Sequence, residues 1–142
     1  MSSLRRAATL AAITLLSCAA LALAAGPKKG ATYSGTLSEG KQPITLKVAQ
    51  SGKAVTANVQ VAPFYCEGGS GGKREITKSS AIAKNGSFKA TITYEFVPTH
   101  AKTTKLVVQG KFSGKSVKGT ARSEFTLAKQ CNGSTTFSAK TK

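Results

Sequence analysis

The feature that most constrains the fold of this chain is a two-residue alternation of apolar and polar side chains that recurs throughout its sequence beyond residue 30. In SFKATITYEF, residues 87–96, Phe88, Ala90, Ile92, Tyr94 and Phe96 share one face of an extended chain, and Lys89, Thr91, Thr93 and Glu95 share the other. Successive side chains of a strand point to opposite faces, so this pattern predicts a strand buried on one side. The same reading puts Tyr33, Gly35 and Leu37 inward in one segment, Ile44, Leu46 and Val48 in the next, and Val55, Ala57, Val59 and Val61 in a third. Later segments place Leu106, Val108, Gly110 and Phe112 inward, then Val117, Gly119, Ala121, Ser123, Phe125 and Leu127, then Thr135, Phe137 and Ala139. With a short Ala81-Ile82-Ala83 segment, this makes about eight strands and no helix.

Turn chemistry agrees with that division. Asn85-Gly86 sits between two strand segments as a tight hairpin requires, and Ser51-Gly52-Lys53 and Ser113-Gly114-Lys115 punctuate two more. Short strands at this spacing predict an all-β fold, an antiparallel β-sandwich or a small closed barrel. Gly35, Gly110 and Gly119 occupy inward positions where a side chain is expected, a mark of bends or close backbone approach. Small inward residues such as Ala57, Ala90, Ala121 and Ala139 argue against a wide empty interior.

The first 25 residues stand apart. Arg5 and Arg6 precede an apolar run from Ala7 to about Leu23 that ends in small residues, the layout of a secretory signal peptide. The run is short for a membrane span, which needs roughly 20 apolar residues, and it stops at Gly26-Pro27 before two lysines. Cleavage after Ala24 or Ala25 is expected, giving a signal peptide at residues 1–25 and one secreted domain at residues 26–142. The LLSC sequence ending at Cys18 resembles the lipobox of bacterial lipoproteins. Residues 19–25 continue apolar where a polar tether usually follows, so lipidation at Cys18 is the minor alternative.

Signal removal leaves two of the three cysteines, Cys66 and Cys131. In an exported chain such a pair predicts a disulfide. A reactive thiol would instead need a nearby histidine or helix N-terminus to lower its pKa, and the single histidine, His100, lies in a different loop. Pro63 before Phe64-Tyr65-Cys66 suggests that this segment ends a strand at a sheet edge.

Charge narrows the function. The chain carries 21 basic residues against five acidic ones, all glutamates. After loss of Arg5 and Arg6, only Arg74 and Arg122 are arginines. Lysine is a hydrated point charge and lacks the bidentate fork with which arginine reads guanine edges or phosphates. Lys47, Lys89, Lys105, Lys111, Lys118 and Lys140 are expected to point outward from strands, while the aromatics fall mainly inward. That arrangement fits loosely read anionic polymers of the cell surface better than specific recognition of nucleic acid. Lysines that serve only solubility and protect strand edges are the competing explanation.

The EGGSGGKREITKSS segment, residues 67–80, predicts a glycine-rich loop in which Lys73, Arg74 and Lys78 form a candidate anion-binding group. It is not a nucleotide loop. Glu67 stands where the first glycine of a phosphate-binding loop belongs, Arg74 where the hydroxyl that holds magnesium belongs, and no helix follows.

Catalytic inventories assemble poorly. Glu39, Glu67, Glu75, Glu95 and Glu124 show no marked pairing for glycoside chemistry, one histidine without a ligand cluster gives no metal site, and no elbow motif marks a serine nucleophile. No catalytic residue, cofactor or membrane span of the mature chain is expected.

Tyr33-Ser34-Gly35-Thr36, the central Cys66, the run from Phe112 to Thr120 (FSGKSVKGT) and the run from Cys131 to Ala139 (CNGSTTFSA) resemble a broad group of uncharacterised secreted bacterial proteins, mostly actinobacterial. The resemblance covers most of the mature chain. It implies an exported, disulfide-linked β domain and carries over no activity or catalytic residue. The reading that follows is a non-enzymatic, secreted or envelope-associated domain that binds anionic surface polymers through lysines. A purely structural or protein-interaction domain is the second reading and an unrecognised small hydrolase the third.

Overall fold

The computed structural model of the protein describes residues 25–60, 73–96, 101–126, 129 and 132–142. These residues form eight strands: β1 (Thr32–Leu37), β2 (Pro43–Val48), β3 (Ala54–Gln60), β4 (Lys73–Ala81), β5 (Ser87–Phe96), β6 (Ala101–Ser113), β7 (Ser116–Phe125) and β8 (Gly133–Lys140). All pair antiparallel in one sheet, in the order β4-β3-β2-β1-β8-β7-β6-β5. The first strand pairs with the last, Leu37 opposite Phe137, and the two edge strands β4 and β5 meet through a bridge between Ile82 and Phe88. A single sheet that nearly closes on itself in this way is barrel-like, which decides between the two architectures the alternation allows.

One strand differs from expectation. β4 spans Lys73–Ala81, where the sequence predicts a loop to residue 80 and a short strand at 81–83. Lys73, Arg74 and Lys78 are therefore strand residues and do not form a loop cluster. KREITKSSA has little apolar alternation of its own; it extends because β3 offers it a ladder, from Gln60 opposite Lys73 to Ala54 opposite Ala81, with a register shift between Val55 and Ala57. Ile76, the one large apolar residue it contributes, is buried.

The interior follows the alternation closely. Of the inward positions whose side chains the structure describes, all are buried except half-buried Ile92 and Phe125 and the inward glycines. Val107 is also buried, although its neighbours Leu106 and Val108 are the inward residues. Burial of each large apolar side chain contributes on the order of 1.5–3 kcal/mol, so this continuous core is the main stabilising term.

Two glycines show why the sheet can coil so tightly. Gly110 and Gly119 face each other across β6 and β7, in a row that runs Phe88, Gly110, Gly119, Phe137, Leu37 across five strands. A β-carbon on Gly119 would collide with the Gln109 carbonyl oxygen and lie 2.7 Å from the Gly110 Cα. The rings of Phe88 and Phe137 flank the pair and fill the space that two missing side chains leave.

The strand directions sort the connections into two ends. The upper end, as termed here, carries residues 25–31, the turns at 49–53, 82–86 and 114–115, and residues 141–142. The lower end carries the 38–42 connection and the strand ends at Gln60, Lys73, Phe96, Ala101, Phe125 and Gly133. The N-terminal arm is tied across the upper end by hydrogen bonds from Gly114 N–H to the Ala25 carbonyl (2.7 Å) and from Gly30 N–H to the Ala49 carbonyl (3.1 Å). Beneath it, buried Tyr33 donates from its hydroxyl to the Gly114 carbonyl at 2.6 Å and accepts from the Lys28 N–H at 2.8 Å. Its ring meets Phe112 edge-on at 5.0 Å, and Phe112 meets Phe88 at 5.2 Å.

Candidate anion-binding surface

The surface of the barrel is divided by charge along its axis. On the upper half, Lys28, Lys29, Lys53, Lys84, Lys115 and Lys142 project from turns and terminal segments, and all are exposed. Lys47, Lys78, Lys89, Lys111, Lys118 and Lys140 project from the upper parts of strands and are exposed as well. Among the described residues this half contains no acidic group. Glu39, Glu75, Glu95 and Glu124 all fall at or near the lower end by their places in the 38–42 connection and in strands β4, β5 and β7.

The β6–β7 hairpin shows the division within two strands. Near the lower end Lys105 stands opposite Glu124, and Glu124 also forms an ion pair with Arg122 at 2.7 Å. Near the upper end Lys111 stands opposite Lys118. Like charges directly opposed on one face of a sheet are destabilising, and the opposite-charge pair below shows the arrangement that avoids it.

Register extends the lysine pair into a stripe. Lys89 on β5 is opposite Gln109, two residues from Lys111, so Lys89 and Lys111 are diagonal neighbours. Lys140 on β8 is opposite Ser116, two residues from Lys118, which makes Lys118 and Lys140 diagonal neighbours too. Diagonal positions on one face lie roughly 7–8 Å apart, within reach of long side chains. Four consecutive strands thus each supply one exposed lysine to a continuous outer row. Lys111 and Lys118 flank a shallow groove whose other walls are Phe112, Ser113 and Ser116.

Comparison with known proteins adds no assignment: no family model matches the chain, and no significantly similar curated protein or solved structure was found.

The strand lysines expected to point outward, Lys47, Lys89, Lys105, Lys111, Lys118 and Lys140, are exposed. Of the proposed loop group, Lys78 is exposed on the upper part of β4, whereas Lys73 and Arg74 open that strand at the lower end. Five residues of extended chain, roughly 16 Å, separate the backbone positions of Lys73 and Lys78 along β4. Cys18, Cys66, Cys131 and His100, with Phe64 and Tyr65, lie outside the described residues. The lysine stripe was missed because it depends on register: sequence shows that each lysine is outward, but only strand pairing shows that they adjoin.

Outward positions are dominated by lysine, threonine and serine while the interior is apolar, the reverse of a barrel that faces lipid. Among the described residues no group of three metal-ligating side chains is present, and no helix is long and apolar enough to cross a membrane. The rings of Tyr33, Phe88, Phe112 and Phe137 are buried and offer no outer platform for stacking bases, and the other aromatic residue whose side chain is described, Phe125, is half-buried at the lower end.

Proposed function

We propose that this protein is an exported, non-enzymatic β domain that binds anionic polymers of the cell surface through the lysines of its upper half. The observation that carries this reading is the axial separation of charge. Lysines that served only solubility would work equally well interspersed with glutamates, as at the lower end, and that interspersion would spare the domain its self-repulsion. Lysine in place of arginine suits a partner read by charge density and not by base or headgroup geometry.

Two further elements belong to the proposal. Cleavage after Ala24 would leave Ala25, whose carbonyl holds the Gly114 amide, as the first residue of the mature chain. A bridge between Cys66 and Cys131 would join the two longer lower connections, since Gln60 and Lys73 deliver one of them to the same end as Phe125 and Gly133 deliver the other.

The test is equilibrium binding of the oxidised mature protein to a graded set of anionic polymers, nucleic acid and neutral glycans, each at several salt concentrations. Affinity for anions that falls steeply with salt and is absent for neutral glycans is the expected result. Absence of anion binding at low salt would leave the lysines as solubility devices and make the structural reading the stronger one.

A further inference from the structure

From the register of β5 to β8 we infer that the Lys89, Lys111, Lys118 and Lys140 stripe is the contact line for a flexible, linear polyanion without aromatic bases, which lies across these four strands. The inference rests on the function proposed above and deepens it by naming where the polymer runs and what kind it is.

Three observations point the same way. The four lysines are direct or diagonal neighbours on the outer face, so their ammonium groups form a track and not isolated charges. Neighbouring strands are about 4.8 Å apart, which makes the track at least roughly 15 Å long from β5 to β8. A polymer carrying a charge every few ångströms can place anions beside several of these lysines at once. Secondly, the Lys111 and Lys118 pair opposes like charge with no acid nearby among the described residues, an arrangement that an added anion turns from repulsive to attractive. Thirdly, the polar residues that separate the lysines along the rows are small or neutral: Gln109, Ser113, Ser116 and Ser138 leave the track open, and Ser113, Ser138 and Gln109 add hydroxyls and an amide beside it, while the Ser116 hydroxyl donates to the Ser113 carbonyl at 3.1 Å.

The form of the partner follows from the shape of the surface. The stripe crosses a curved sheet, so a chain that bends follows it better than a planar bilayer, and the described outer face presents no large apolar side chain for insertion into lipid. The described aromatic rings at this end are buried under the N-terminal arm, so a base would find nothing to stack on.

The experiment compares three oxidised mature proteins: wild type, a stripe variant (Lys89→Gln, Lys111→Gln, Lys118→Gln, Lys140→Gln) and a control (Lys29→Gln, Lys53→Gln, Lys84→Gln, Lys142→Gln). The two variants lose equal charge from the same end, and thermal unfolding confirms that both are folded. Binding of inorganic polyphosphate is measured against salt, with tripolyphosphate and an oligothymidylate of matched charge alongside. The stripe variant is expected to lose at least about tenfold more affinity than the control, with a salt dependence shallower than wild type by about three logarithmic units per decade of salt, as loss of four contacts implies. Tripolyphosphate, too short for the track, is expected to bind more weakly than long chains. Equal losses in the two variants would overturn the stripe and leave the proposed function standing. Tighter binding of oligothymidylate than of polyphosphate would overturn the base-free polymer. Failure of the wild type to bind any polyanion would remove the proposed function and the stripe together.

Discussion

Two positions in the β6–β7 hairpin show how single residues set opposite demands on this sheet. Gly119 is fixed by backbone approach: a methyl group there meets the Gln109 carbonyl oxygen, the Gly110 Cα and the Phe137 ring, none of which can move without disturbing the ladder. Gly119→Ala is therefore expected to destabilise the fold by about 2–4 kcal/mol, through strain and local separation of β6 from β7. Gly26→Ala, where nothing lies within 4 Å of the added carbon, is the control and should leave the denaturant midpoint nearly unchanged. One residue earlier, Lys118 faces Lys111 with no steric demand at all. Lys118→Glu converts the opposed pair to opposite charge and is expected to raise stability by about 0.5–1 kcal/mol in urea unfolding while lowering affinity for polyphosphate. A loss of stability in this variant would mean that the lysine pair is not repulsive as placed. Inward glycine was legible in the sequence because alternation marked the face; that Phe88 and Phe137 flank the glycine pair was not, since it depends on which strands adjoin.

At the scale of elements, seven strands announced themselves through alternation and one did not. β4 reads as loop because its apolar residues are too sparse to mark a face, and it becomes a strand by completing the ladder that β3 leaves open. Tertiary pairing overrides weak local preference in such a segment. The candidate group of Lys73, Arg74 and Lys78 followed the same rule, for it is expected on a loop and its residues lie on a paired strand. The N-terminal arm is the other element whose role lay outside the pattern. Tyr33 was legible as an inward residue, but not as the side chain whose hydroxyl joins the Lys28 amide to the Gly114 carbonyl. Tyr33→Phe keeps the ring and its contact with Phe112 and removes both hydrogen bonds. The expected outcome is a loss of about 1–2 kcal/mol, with the Lys28 amide exchanging its proton faster while amides in the middle of β6 and β7 stay protected. Uniformly faster exchange would show that the hydroxyl supports the whole barrel and not the arm.

For the molecule as a whole, the two ends differ in charge. The lower end holds the acidic groups among the described residues. If the proposed Cys66 to Cys131 bridge forms, its reduction is expected to lower stability by about 4 kcal/mol, on the loop-entropy account of a crosslink closing some 65 residues. Addition of reductant should then shift the urea midpoint of the wild type and leave a Cys66→Ala, Cys131→Ala variant unmoved. The upper end sets the response to salt. With twelve exposed lysines and no described acid in that half, folding gathers like charges that the unfolded chain keeps further apart. Screening weakens that repulsion, since the Debye length falls from about 30 Å at 0.01 M to about 8 Å at 0.15 M. The melting temperature is therefore expected to rise with sodium chloride over this range, by more for the wild type than for the Lys89, Lys111, Lys118 and Lys140 to glutamine variant. Polyphosphate at low salt should raise it further, because a ligand bound only by the folded state stabilises it in proportion to its occupancy. The two agents then oppose each other: salt added on top of saturating polyphosphate should first lower the melting temperature as the polymer is released. A monotonic rise under both conditions would mean that the lysines repel one another but hold no polymer.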